Sequence, residues 1–175
     1  WSRGFNLNQN PGEAEHLGWD FAASVGEPIF AGPNGGRAVR RFDCTRCTPD
    51  RPSTVSQGLG LGNAGVFSDA GWGFGYGNAV IVCYAHDRLP ASTRDRLATR
   101  GLAGAHLFAM YAHLTTIAVA AGTDLAPSAL IGTCGDTGNS QGSHLHLEVR
   151  ASRTLNDTDW TRMRPNLLDP GILFM

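Results

Sequence analysis

Several features are missing from this chain, and each absence narrows what it can be. It has no apolar run long enough to cross a membrane. It has no basic run or stripe, and its net charge is -1, so no nucleic-acid footprint is present. It opens at Trp1 with no leader-type segment, which reads as a mature or excised domain. His-Glu-x-x-His is absent, so no glutamate base of that kind is on offer. Long uninterrupted helical patterns are scarce too: 23 glycines and 9 prolines divide the chain into short segments, which favours a mainly β architecture. At 175 residues and 42% hydrophobic content the chain suits one domain with a real core.

The most informative stretch runs from Thr137 to Arg150. A Gly-rich turn leads into His144-Leu-His146-Leu-Glu148-Val-Arg150, whose alternation predicts a strand. On a strand His144, His146 and Glu148 share one face, while Leu145, Leu147 and Val149 share the other. Two imidazoles with parallel aim can present nitrogen to a metal or to a polarised carbonyl. Taken alone, they can equally be surface histidines on an edge strand.

Upstream, residues 1–15 read as a polar, irregular lead-in. His16 and Asp20 are four apart, which puts them on one face of a strand or of a helical turn, and Gly18 between them argues for the strand. A local hydrogen-bonded pair is the plain alternative to a binding role. Pro28 opens a strand, and Asn34-Gly35-Gly36 predicts a hairpin turn into the next. Residues 43–75 form a long loop, and 76–84 a central strand. The spacing predicts a short helix over 91–101, with Ser92 as N-cap, Asp95 three residues on, and Gly101 closing it. Arg94, Asp95 and Arg96 form its solvated face. His86 and His106 flank that segment without ligand-type neighbours and read as structural. Residues 107–114 form an apolar strand with His113 near its end. Short strands and turns follow to residue 135. After Arg150 comes an irregular tail in which 166–170 packs back on the domain.

Cysteine usage is open to several readings. Cys44-Thr-Arg-Cys47 can be a tight disulfide, half of a zinc knuckle or a redox pair. A knuckle needs two further ligands, and Cys83 and Cys134 stand alone. A redox pair opens a helix, whereas this one sits in a Pro- and Thr-rich loop. In an exported protein the loop-stapling disulfide is favoured. Cys83 and Cys134 read equally as buried thiols or a second bridge.

Five segments in one order form a larger pattern: His16-x-x-x-Asp20, a Gly-x-Pro-Ile-Phe-Ala strand, Tyr111-Ala-His113-Leu114, Ile131-Gly-x-x-Gly-x-Thr137-Gly138, and His144-Leu-His146. This order resembles the lysostaphin-like zinc metallopeptidases of family M23, over roughly residues 14–150. The four-residue His16–Asp20 spacing resembles the lysostaphin branch rather than the β-lytic one. Two departures are the long insertions, 43–75 and 85–107, which by chain order should fall near the groove. A third is Tyr84, where the family commonly has a histidine.

The resemblance implies a single peptidase domain over 1–175, with a tail from 151. It implies antiparallel sheets in a distorted sandwich, a groove, and one inserted helix. It assigns His16, Asp20 and His146 as ligands of one zinc, and His113 and His144 as the unligated catalytic pair. A catalytic zinc keeps three protein ligands and one open position, which matches that count. Glu148 is a candidate partner for the far nitrogen of a ligating imidazole. The implied activity is hydrolysis of peptide bonds in bacterial peptidoglycan by a secreted, periplasmic or phage-borne monomeric enzyme. A non-catalytic relative that binds peptidoglycan or regulates another wall hydrolase is the alternative.

Overall fold

The computed structural model describes residues 3–7 and 15–175. Among the described residues ten strands form two sheets: β1 (Gly18–Ala22), β2 (Pro28–Phe30), β3 (Gly36–Phe42), β4 (Asn78–Tyr84), β5 (His106–Leu114), β6 (Thr116–Ile117), β7 (Asp124–Leu125), β8 (Leu130–Thr133), β9 (His144–Ser152) and β10 (Leu167–Leu168). The large sheet has the order β1-β9-β5-β4-β3-β7, with β10 also on β9, and the small one β2-β8-β6. All pairings between these strands are antiparallel. The fold is mainly β, as expected. Helices are few: α1 (Ala64–Ser68), α2 (Ala91–Thr99) and short 3-10 turns.

The central strands are apolar throughout because both faces are covered. Val80, Val82, Tyr84, Ala109, Tyr111, Leu147 and Val149 pack on one side with Ile29 and Ile131 of the small sheet. Ala79, Ile81, Cys83, Phe108, Met110 and Ala112 face the other side, under Trp160 and Met163. The strand carrying His144 and His146 is interior, hydrogen-bonded to β1 on one edge and β5 on the other.

Some expectations change. Residues 28–42 are not a hairpin. Ala31 donates to Ala129, and β2 pairs with β8, while β3 has both edges taken by β4 and β7. The Asn34-Gly35 turn therefore passes the chain from one sheet to the other; Gly35 holds φ +66 where a Cβ would lie 2.7 Å from the Leu125 carbonyl. Helix α2 begins one residue before Ser92, with Pro90 at the cap and no side-chain cap bond. Proline's fixed φ starts the helix without needing a hydroxyl there. Gly101, at φ +73, does end it. The lead-in is not wholly irregular, since Arg3 and Asn6 bridge to Asp20 and His16. Its remaining residues, 1–2 and 8–14, lie outside the described ones. The tail is tighter than expected: β9 continues to Ser152, Trp160 and Met163 are buried, and Leu167-Leu168 pairs with β9.

The two insertions part company. The first contains α1 and a 3-10 turn over Ala70–Gly75, closed by a Cys44–Cys47 disulfide packed with Val66 and Trp72. It docks on the turn before β9: Thr54 donates to Gly138, and Gly62 to the Asn139 side chain. The second leaves the far end of β4 and returns at His106, which pairs with Ser152, whereas Ala112 pairs with His146. Six residues of strand put it about 20 Å from the His-x-His end. It therefore does not wall the same region. Cys83 and Cys134 are free and buried. Among the described residues no helix is long and apolar enough to cross a membrane.

Candidate metal centre

Strands β1 and β9 build the centre between them. Their register sets Asp20 opposite His146 and Ala22 opposite His144, so the carboxylate and both imidazoles share a face. Gly18 lies opposite Glu148, and a Cβ there would meet the Leu147 carbonyl at 2.3 Å and the His146 ring at 2.9 Å. Only glycine lets β1 approach so closely beside the imidazole. His16, just before β1, is held by its bridge to Asn6.

His16, Asp20 and His146 each offer one atom to a common point, all within 4.8 Å of one another. Asp20 Oδ1 is 3.1 Å from His16 Nε2 and 2.8 Å from His146 Nδ1. His16 Nδ1 lies 2.7 Å from the Gly4 carbonyl, which can only accept, so this nitrogen carries the hydrogen. Its Nε2 therefore faces the Asp20 carboxylate oxygen, a contact that either a proton on Nε2 or a metal cation between the two can satisfy. Burial alone would raise the Asp20 pKa, but hydrogen bonds from His146 and His16 outweigh it and hold the carboxyl well below the usual range. Burial pushes the His146 imidazole down, yet Asp20 and Glu148 more than reverse this and bring its pKa to about 9 in the metal-free protein. A carboxylate and two imidazoles are donors suited to a divalent transition metal.

His113 and His144 stand beside this group. Their rings are 4.7 Å apart, and His113 is 5.8 Å from His146. His144 Nε2 is 3.7 Å from Asp20 Oδ1 on the same side, but His144 is not one of the three residues whose donor atoms converge. Nδ1 of His113 donates to the Thr137 carbonyl (2.7 Å), and Nδ1 of His144 to Gly142 (2.8 Å). In the neutral tautomers this fixes, each ring keeps an Nε2 lone pair. Burial and the neighbouring His144 and His146 push His113 down to about 3. Side chains of Asp20 and His144 are 13% and 18% exposed, so solvent reaches the cluster.

His113 reaches this face by a departure from regular strand geometry. Strict alternation would put it with Tyr111 in the opposite core. The β4–β5 register shifts between Asn78 and Val80, and His113 has φ 61. This bulge turns Ala112 and His113 to one side and returns Leu114 to the other core. The bulge is anchored by His113 N donating to Tyr76 and by the Thr137 carbonyl. That carbonyl is itself placed by a close approach of Gly77, where a Cβ would lie 2.4 Å from Thr137.

Glu148 lies beneath His146, with Oε2 3.7 Å from its Nε2, and it also binds Tyr76 and Arg150. Tyr76, Arg150 and Trp160 were not singled out as site residues from the sequence; for Arg150 the available signal was its place two residues after Glu148 on the same strand face. His86 and His106 contact each other at the far end of the sheet, through His86 N donating to His106 Nδ1. Tyr84 is buried on the opposite face, sharing a 2.6 Å hydroxyl contact with Tyr111. It stands away from this cluster.

A family model for Peptidase family M23 matches residues 98–158, which include His113, His144 and His146. No curated protein sequence matches the chain. Among solved structures, it is similar to the catalytic domain of the antimicrobial peptidase lysostaphin from Staphylococcus simulans. The identity is 20% and the TM-score 0.53, over 99% of this chain and 90% of that one. LytU is similar at 19% identity and TM-score 0.50, over 97% of this chain and 79% of that one. A zinc containing peptidase from Vibrio cholerae matches at 21% identity and TM-score 0.53, over 96% of this chain but 34% of that one. At such identities the structural likeness is one of fold. Over residues 98–158 the sequence is thus similar to peptidase family M23, and the fold of the described chain is lysostaphin-like.

Proposed function

We propose that the chain is a zinc-dependent metalloendopeptidase that hydrolyses peptide bonds in bacterial peptidoglycan outside the cytoplasm, with residues 1–175 acting as one peptidase domain. The observation that carries this reading is the convergence of His16 Nε2, Asp20 Oδ1 and His146 Nδ1 beside two further imidazoles. Three ligands and an open side suit catalytic zinc better than a closed structural site. When bound there, zinc supplies a Lewis acid that acidifies water and polarises the scissile carbonyl.

The protein's own residues do the rest. His113 and His144 have their Nδ1 hydrogens committed to backbone carbonyls, so Nε2 of either can accept a proton from the attacking water. Once protonated, that nitrogen can donate to the developing oxyanion or to the leaving amine. The bulge at His113 and the tight turn at Gly142 hold both rings in place before substrate arrives.

The test is digestion of purified sacculi from directly crosslinked and glycine-bridged walls, read by mass spectrometry, with and without a zinc chelator. Chelator-sensitive release of defined muropeptides, restored by added zinc, is expected and would identify the bond. If one zinc is bound per chain but nothing is released, the binding or regulatory alternative takes over.

Zinc affinity should also depend on pH. Metal-free His146 holds its proton up to about 9, and zinc has to displace it. Apparent affinity is thus expected to rise with pH, by about tenfold per unit for one displaced proton, and to level off near pH 9. Competition with a chromophoric chelator measures it. A flat profile between neutrality and pH 9 would contradict the assignment of His146 as a ligand.

A further inference from the structure

Behind His146 lies a closed polar network that contributes no ligand. Glu148 is fully buried and Arg150 is 3% exposed. Glu148 Oε1 accepts from Arg150 Nε at 2.7 Å and also from Nη2; Oε2 accepts from the Tyr76 hydroxyl at 2.8 Å. The Tyr76 oxygen in turn accepts from Trp160 Nε1 at 3.3 Å. Trp160 also receives the Arg150 guanidinium over its ring, 4.1 Å from the centroid, and accepts Arg150 Nη1 on its carbonyl. It thus touches the network at three points, from a segment well beyond the His-x-His strand.

We propose that Tyr76 and Trp160 are positioning residues for the metal centre, acting on His146 through Glu148, so that the segment after β9 sets the metal affinity of a site to which it gives no ligand. The inference rests on the reading of His16, Asp20 and His146 as a zinc site. Its logic is geometric. A neutral His146 that gives its Nδ1 lone pair to a cation must carry its hydrogen on Nε2. That nitrogen faces Glu148 Oε2 across 3.7 Å, and the Tyr76 ring packs 6.2 Å from the imidazole. A carboxylate in this place fixes the tautomer and ring plane of a ligating histidine. The carboxylate can face His146 only because Arg150 and Tyr76 hold its orientation. A buried ion pair is in general weak evidence for stability, since apolar side chains fill such space as well. Its place directly beneath a ligand gives this one a use that packing alone does not.

The experiment compares zinc dissociation constants, by competition with a chromophoric chelator at one pH, alongside the melting temperature of the zinc-free protein. Tyr76→Phe removes a single oxygen and is expected to weaken zinc binding about tenfold. The double change Glu148→Gln with Arg150→Met removes both charges without stranding either, and is expected to weaken it by about 10- to 100-fold. Trp160→Phe keeps a ring over Arg150 but loses the N–H, and should fall between wild type and Tyr76→Phe. Tyr84→Phe is the control for a lost buried hydroxyl: its partner is Tyr111, on the opposite face, and zinc affinity should not move. The proposal is overturned if folded Tyr76→Phe and the double variant bind zinc like wild type. It is equally overturned if Tyr84→Phe weakens zinc as much as Tyr76→Phe does. Wild-type protein that binds no zinc would instead remove the functional reading on which the proposal stands.

Discussion

His113→Ala is expected to keep about one zinc per chain and to lower turnover by about 10²- to 10⁴-fold, the usual contribution of a positioned acid–base group. The split follows from geometry. His113 is not among the three converging donors, yet its ring lies 4.7 Å from His144 and 5.8 Å from His146. Its Nδ1 is tied to the Thr137 carbonyl, so the substitution removes an Nε2 and leaves the ligand geometry of β1 and β9 in place. The left-handed backbone at this position is the kind of cost a chain carries where a side chain must be aimed. Metal analysis and initial rates on the same preparation check both halves. Full activity in this variant would remove His113 from the catalytic assignment.

The second large effect is expected from His146→Ala, which should leave well under about one-tenth of a zinc per chain after gel filtration, because a three-ligand catalytic site has no spare donor. His144 is the nearest substitute, but it is not among the three converging donors, and its ring is held by the bond from Nδ1 to Gly142. Moving it into the ligand position would break that bond and pull the turn before β9 out of shape. Turnover should vanish with the metal. Retained stoichiometry, in this variant or with His16 removed as well, would sink the assignment of the centre.

Much of the strand structure is legible in the residues. Period-two alternation over 144–150 and the strand readings at 76–84 and 107–114 correspond to β9, β4 and β5, because an antiparallel strand must sort its side chains by face. Gly18 argued correctly for a strand at His16–Asp20, although its deeper reason, a neighbouring carbonyl 2.3 Å from where a Cβ would sit, needs the partner strand to be seen. The hairpin at 34–36 failed for a related reason: turn residues specify a reversal, but not which strand occupies the edge that the reversal makes available. Likewise, the second insertion goes to the far end of the sheet because β4 and β5 run antiparallel, and chain order alone does not say which end faces the site.

The sequence by itself determined much of the strand pattern, the five candidate side chains and the resemblance that ties these together, and it favoured a Cys44–Cys47 staple in an exported protein. These are local: spacing, alternation and residue chemistry suffice for them. The tertiary structure alone decided that His113 crosses to the face of His144 and His146, which simple alternation denies it, through a bulge held by Tyr76 and Thr137. It alone decided that Glu148 is held by Tyr76 and Arg150, themselves braced by Trp160, rather than bonded closely to His146. Both depend on backbone and side-chain partners far along the chain, whose register is set by packing two cores against one sheet, and no local pattern records that.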